Sequence, residues 1–345
     1  MEIKKILDTY AAIVETGLTG TPTKAYKSYA VSTLRGGVGK STLAFNLAYE
    51  MSRTRSVLAG DLCPQCNLTE TLMPKFDHQV TIYDALQPKV LGEAFGNTKM
   101  SDISYLISKY CEAFKGGYPS YFVPGDPLMF AFPSTLYQQL QVAVSQENKV
   151  AVGKLLHSLK SILEEERKLK ECDTILLDTS PFYAGGTHLA WCAAEAVIIP
   201  VRVDEHSIES LELTLTMLSD PSKDFVVWNT RAGGLPAPRV AAIVMTMAGA
   251  RSSTKSVVDR ASQMYIERAV AIAEKYHKLF DHQDPRDAFA ITDDFVSSGR
   301  ISGAESMPIA QLKVGKFHTL EGKRLQVNDS VVRYQKELKY LASIV

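Results

Sequence analysis

The chain has 345 residues, 46% hydrophobic and 22% charged, with 38 Lys/Arg against 38 Asp/Glu and a formal net charge of zero. This composition supplies enough apolar material for a substantial core and excludes disordered and collagen-like classes. The zero balance excludes a whole-protein field strong enough to hold nucleic acid or an acidic membrane, so any such binding has to come from a local patch. The length allows two domains, or one elaborated α/β domain with extensions. No stretch approaches the roughly 18 uninterrupted apolar residues of a membrane span. The start, Met1-Glu2-Ile3-Lys4-Lys5, leads into an amphipathic stretch rather than a signal-peptide core, and a cytoplasmic location is expected.

Taken in chain order, Ile3, Leu7, Tyr10 and Val14 stand at helical spacing and predict an amphipathic helix within an arm of residues 1–28, packing at a dimer interface. Tyr29–Thr33 is β-prone, a glycine-rich turn follows, and Ser41–Met51 is helical. Ser56–Asp61, Thr174–Asp178, Ala196–Val201 and Val240–Met245 are continuous apolar runs, the pattern of parallel strands covered on both faces. Helical patterns lie between them, at Leu155 to Leu169 and at Leu211, Leu215 and Leu218. The alternation predicts a doubly wound, mostly parallel α/β sheet with helices on both faces and ligands at the carboxyl ends of the strands. The irregular stretch 78–153 reads as an elaborated crossover with short helices. The last pattern, Val331, Tyr334, Leu338, Leu341 and Val345, reads as a terminal helix that packs on its own domain or its dimer mate; the alternative is a helix lying on a membrane surface.

The segment Arg35-Gly36-Gly37-Val38-Gly39-Lys40-Ser41-Thr42 follows a strand and opens a helix, the context of a phosphate-binding loop. Its glycines let backbone N–H groups close around phosphate oxygens, and the helix N-terminus adds partial positive charge. Lys40 would reach the β- and γ-phosphates, and Ser41 would ligate Mg²⁺. The general pattern wants glycine where this chain has Leu34, and an ordinary turn is the competing reading. Asp178 ends an apolar strand at the same sheet edge, placed to hold Mg²⁺ through water, although an aspartate after a strand also serves as a helix cap.

These segments, together with Asp61-Leu62-Cys63-Pro64-Gln65-Cys66-Asn67, Asp178-Thr179-Ser180-Pro181 and Ile199-Pro200-Val201, resemble successive motifs of the ParA/MinD ATPases, closest to ParA, over roughly residues 29–312. The resemblance implies a P-loop ATPase domain at 29–312 followed by a carboxyl-terminal helical extension at 313–345. It also implies ATP with Mg²⁺ as cofactors, an ATP-dependent homodimer, non-specific DNA binding on the nucleoid, a cargo such as a plasmid or chromosome, and a ParB-like or other stimulating adaptor. Lys40, Asp61 and Arg35 fall at catalytic positions of the family. Arg35 stands where the family carries a signature lysine reaching the partner's nucleotide; arginine keeps the charge with a different geometry. Cys63 stands where a second aspartate orients the attacking water, which implies tight ATP binding with slow turnover, or hydrolysis lost altogether. Met245-Thr246-Met247 and Thr292-Asp293-Asp294 fall where the family contacts the base.

Five cysteines (Cys63, Cys66, Cys111, Cys172 and Cys192) are too few and too scattered for a disulfide framework. The Cys63/Cys66 pair is either a redox or metal half-site or two small residues in a switch loop, and the second is expected. Charge is uneven along the chain: residues 231–345 hold 17 Lys/Arg against 12 Asp/Glu, a net of +5, which leaves −5 for the rest. In ParA-like proteins this carboxyl-terminal part meets DNA. The DNA-binding candidates are Arg251, Lys255, Arg260 and Arg268, expected on one helix or its approach, and Lys313, Lys316, Lys323 and Arg324. Membrane binding is not expected.

Overall fold

The apolar runs do become strands, and their lack of alternation has a direct cause in the packing. In the computed structural model, which describes residues 3–74, 80–92, 103–248, 250–252 and 255–345 (backbone alone at 250–252 and 255–257), eight strands form one sheet. They are β1 (Ser28–Val31), β2 (Val57–Asp61), β3 (Tyr105–Leu106), β4 (Tyr121–Val123), β5 (Thr174–Asp178), β6 (Ala196–Arg202), β7 (Arg239–Thr246) and β10 (Phe289–Ile291). Their order across the sheet is β10-β7-β6-β1-β5-β2-β4-β3, parallel throughout except for β3, which runs antiparallel to β4. Ile175 and Leu177 of β5 join a core on one face while Leu176 joins the core on the other; Val197 and Ile199 of β6 do the same against Ile198. Both faces are dry, so the interior positions of these strands are apolar.

Two further hairpins lie outside this sheet: β8 (Ala250–Ser252) with β9 (Lys255–Val258), and β11 (Phe317–Leu320) with β12 (Lys323–Gln326). The second turns at Glu321-Gly322, where both residues have positive φ (49° and 76°), the backbone of a two-residue hairpin turn. Arg251 and Lys255 sit on these strands, in the approach to the helix rather than on it, and their side chains lie outside the described residues. That helix begins at Arg260 and runs to Lys275.

The terminal helices pack inward. The first, Lys4–Thr16, buries Ile6, Tyr10 and Ile13; of the expected stripe Ile3 and Tyr10 are buried while Leu7 and Val14 are half-buried, and the helix lies against the last one, Val331–Ile344, rather than presenting its apolar face to a second copy. Lys336 Nζ donates to the Val14 carbonyl (2.5 Å), and the Gly20 amide donates to Ser343 Oγ (2.8 Å). The pattern at Leu155–Leu169 is two helices, Lys149–Leu156 and Ser158–Leu169, meeting at His157.

Candidate functional site

Strand register sets the site. β5 lies between β1 and β2, with Val31 opposite Asp178 and Asp178 opposite Asp61, so three strands end together at one sheet edge. The loop after β1 needs left-handed backbone at Gly37 (φ +72°) and Gly39 (φ +84°), which a side chain would strain. Lys40 then opens the helix Lys40–Ser52. Its ammonium is buried and folds back onto the Arg35 carbonyl (2.7 Å); burial lowers its pKa, with Asp178 opposing. Ser41 Oγ donates to Asp178 Oδ2 (2.5 Å), while Asp178 Oδ1 is buried without a hydrogen-bond partner. Burial raises the Asp178 pKa, and the neighbouring Asp61 carboxylate raises it further. A hydroxyl and a carboxylate with one spare oxygen, set at a helix N-terminus, form a hard oxygen donor set that fits Mg²⁺.

Two cavities of about 270 Å³ each meet at Gly39 and Thr42. The phosphate-side cavity is lined by Gly36, Gly37, Gly39, Lys40, Ser41 and Thr42, joined by Cys63, Gln65 and Asn67 from the loop after β2, Thr179 and Pro181 from the loop after β5, and Ser302 and Gly303 from a helix far along the chain. Val38 belongs to the other cavity, with Thr246, Met247 and Thr292 to Val296; Met245 is buried in the core. The Thr246 hydroxyl donates to the Val38 carbonyl (3.3 Å), tying β7 to the loop. Arg35 is half-buried and lines neither cavity, contributing its carbonyl.

Asp61, expected among the catalytic groups, does something else in this structure. It is fully buried, and burial raises its pKa. Its Oδ1 accepts from the Cys63 amide (3.0 Å), and its Oδ2 accepts from the amide (3.0 Å) and hydroxyl (2.9 Å) of Thr69. The Thr69 hydroxyl in turn accepts from the Gly125 amide (2.9 Å), so Asp61 is the knot that holds this loop to the end of β4. Glycine suits position 125, because a Cβ there would stand 3.1 Å from the Asp61 carboxyl carbon, closer than ordinary van der Waals contact. Cys63, not Asp61, faces the cavity.

All five cysteines are free thiols. Burial pushes Cys63 up to about 11 and Cys66 up to about 12, the reverse of what thiolate chemistry needs. Among the described residues no group of three His, Cys, Asp or Glu is arranged to hold a metal ion.

The basic candidates divide. Arg268 is engaged by Glu205 through two hydrogen bonds of 2.5 and 2.6 Å, and Arg260 is exposed at the start of its helix. Lys313, Lys316, Lys323 and Arg324 are all exposed on or beside the β11–β12 hairpin, with no ion pair among the described residues. The Arg324 guanidinium stacks 3.9 Å from the Phe317 ring, which is itself 45% exposed. The contributions of Ser302, Gly303, Phe295 and Arg300 to the two cavities carry no motif; only the folded chain brings them there.

Residues 26–225 match the family described as an AAA domain, AAA_31. The chromosome-partitioning ATPase Soj of Thermus thermophilus is 27% identical over 224 residues, 65% of this chain and 70% of its own. The chromosome partitioning protein ParA of Myxococcus xanthus is 27% identical over 244 residues, 70% of this chain and 71% of its own. Among solved structures, the McdA–ATP complex of Cyanothece superposes with a TM-score of 0.59 at 16% identity, covering 85% of this chain and 91% of that one, a likeness of fold. With the family match spanning more than half of the chain and the phosphate loop, Ser41 and Asp178 assembled at one sheet edge, the chain belongs to the AAA_31 family as a ParA-type P-loop ATPase.

Proposed function

We propose that the protein binds ATP with Mg²⁺, dimerises on the nucleotide, binds DNA without sequence preference, and positions a cargo such as a plasmid or chromosome. The observation that carries the nucleotide reading is the Ser41–Asp178 contact with the spare Asp178 oxygen behind it, beneath a glycine loop at a helix N-terminus. In this reading the loop amides cradle the phosphates, and Lys40 exchanges the Arg35 carbonyl for phosphate oxygens. Bound Mg²⁺ supplies charge neutralisation at the β- and γ-phosphates. Ser41 and Asp178 hold it, and the cavity beyond Val38 receives the base, ATP over GTP following the family.

Hydrolysis is slow. Among the described residues no carboxylate lines the phosphate-side cavity, and the Cys63 side chain there is a neutral thiol. A neutral thiol is a poor group for orienting or deprotonating water. This favours a switch that turns over slowly, or a binding switch that has lost hydrolysis, over a fast ATPase. Arg35 is assigned to the partner's nucleotide in the dimer. The exposed Lys313, Lys316, Lys323 and Arg324 cluster supports DNA backbone contact, while nucleoid association in the cytoplasm and an adaptor of the ParB kind as the stimulating partner follow the family. A membrane-bound MinD-like role has no support in the last helix, whose apolar face is buried, and no helix among the described residues is long and apolar enough to cross a membrane.

The test is ATP binding, ATP-induced dimerisation and single-turnover hydrolysis, each with and without DNA. Absence of ATP binding, or binding indifferent to Lys40→Ala, refutes the nucleotide reading. Dimerisation without any single-turnover hydrolysis, even on DNA, selects the binding switch.

A further inference from the structure

The loop after β10 is held by an unusual set of buried polar groups. Glu337, on the last helix, is 1% exposed. Its Oε2 accepts from the Asp293 backbone amide (3.0 Å), and its Oε1 accepts from the hydroxyl of Tyr10 (2.8 Å), on the first helix. One turn before Glu337 on the same helix, Arg333 bonds the Asp293 carboxylate and lies 3.6 Å from Glu337 Oε1. Tyr334 packs edge-on against Phe295, ring centroids 5.3 Å apart. Both functional groups of Asp293 and the ring of Phe295 are thus fixed from the terminal helices. Thr292, Asp293 and Phe295 line the cavity beyond Val38, and the buried Thr292 hydroxyl there has no partner.

Charged groups this deep are costly unless they fix something. Replacing Tyr10, Arg333 and Glu337 by apolar residues of similar size would serve a core as well, so their retention at a loop lining a cavity points to positioning. We infer that Glu337 and Arg333, braced by Tyr10, are positioning residues for nucleoside binding: the two terminal helices set the backbone of residues 292–295 against which the base and ribose rest. The inference rests on reading the cavity beyond Val38 as the base side of the nucleotide site. It makes the chain's two ends part of the nucleotide-binding machinery, and it assigns them to the nucleoside and not to the phosphates, which the loop at 36–42 holds on its own.

Inorganic tripolyphosphate separates the two halves, because it engages the phosphate loop and has no base. Calorimetric titration of ATP and of tripolyphosphate into the full-length protein is the experiment, on wild type, Glu337→Leu, Arg333→Met, Tyr10→Phe and Glu337→Gln. Glu337→Leu and Arg333→Met are expected to weaken ATP about tenfold, the low end for unmaking a buried hydrogen bond to a charged group. Tyr10→Phe is expected to weaken ATP about threefold, the size of one lost hydrogen bond. Tripolyphosphate affinity stays the same in all of them. Glu337→Gln keeps near wild-type ATP affinity, since its amide oxygen accepts from Asp293 and its amide nitrogen donates to the Tyr10 oxygen. Should the two larger changes unfold the protein, Tyr10→Phe, the loss of one hydroxyl, carries the test. ATP affinity unchanged in folded variants, or parallel loss of ATP and tripolyphosphate, overturns the inference while the nucleotide reading stands. A wild-type protein that binds tripolyphosphate as tightly as ATP overturns the base-side reading and the inference together.

Discussion

The hairpin β11–β12 allows a quantitative test of DNA binding. Between Lys313 and Gln326 the only acid is Glu321 at the turn, and four exposed cations, Lys313, Lys316, Lys323 and Arg324, have no carboxylate partner among the described residues. Each cation that neutralises a duplex phosphate adds about 0.9 to the slope of log K against log salt, so four contribute about 3.6 per protomer. Between 50 and 200 mM salt that slope corresponds to roughly a 150-fold loss of affinity. Changing all four to Gln should flatten the slope by about 3.6 and leave the rest. Arg268→Gln is the internal contrast: its guanidinium is occupied by Glu205, and breaking that pair should change the slope by less than about 1. Fluorescence anisotropy on random-sequence duplexes of one length, with ATP present and salt varied, reads both. A quadruple variant with the wild-type slope removes the hairpin from the DNA interface, and a large effect of Arg268→Gln moves the interface to the helix Arg260–Lys275.

Three further outcomes are expected. Cys63→Asp places a water-orienting carboxylate in the phosphate-side cavity and should raise single-turnover hydrolysis about 100-fold, within the range of positioned acid–base groups; equal turnover refutes the slow-hydrolysis argument. Gly39→Ala forces a Cβ into left-handed backbone (φ +84°) and should cost about 1–2 kcal/mol in urea denaturation, with weaker ATP binding; an unchanged midpoint would mean that the loop relaxes. Burial lifts the Glu337 pKa to about 7, from a usual value near 4.5. An acid raised in the folded state holds its proton there longer than in the unfolded chain, so its contribution is intact below about pH 4.5 and is lost as pH rises to about 7. The loss is about 3 kcal/mol at 1.36 kcal/mol per pH unit. Glu337→Gln should abolish that part of the slope, leaving the variant relatively more stable at pH 8 than at pH 5 by denaturant titration.

What the sequence disclosed and what it hid divide along physical lines. Thr174–Asp178 reads correctly residue for residue because a strand buried on both faces leaves an unbroken apolar centre, Ile175–Leu177, between polar ends, and the phosphate loop reads because glycine is the residue that tolerates φ near +80°. β3, β4 and β10 are two or three residues long, too short for any period to register. The stripe of the first helix is legible at Ile3 and Tyr10, which are buried, but Leu7 and Val14 are as apolar as Ile6 and Ile13, and only packing decides that the latter two turn fully inward. Asp61 shows a different limit. A motif places an aspartate at the end of a strand, but whether its oxygens face a cavity or are used up by Cys63 and Thr69 depends on the path of the next eight residues. Arg333 and Glu337 read from the sequence as the polar side of an amphipathic helix, yet both are buried, because their partners Asp293 and Tyr10 lie 40 and 327 residues away.

That last helix also settles by magnitude which alternative role is open to it. Val331, Tyr334, Leu338, Leu341 and Val345 are each at most 3% exposed, and they share a core with Leu43 and Leu47 of the helix that opens at Lys40. Fully burying side chains of this size contributes about 1.5–3 kcal/mol each, so the five together contribute roughly 8–15 kcal/mol. The stability of a whole domain is about 5–15 kcal/mol. Lifting this stripe onto a membrane would therefore cost about as much as unfolding the domain. It would also release the Arg55 side chain from the Val345 carbonyl (2.7 Å) and Gln335 from the Ile309 and Leu312 carbonyls (3.0 and 2.9 Å), and bare one side of the phosphate-loop helix. Lipid contact would have to recover all of that from a helix that also buries Arg333 and Glu337 in its own domain. Deleting residues 331–345 should accordingly abolish ATP binding through loss of the fold, and the intact protein should not sediment with anionic liposomes; ATP binding that survives the deletion, or sedimentation of the intact protein with its ATP binding retained, would show that the helix can be spared.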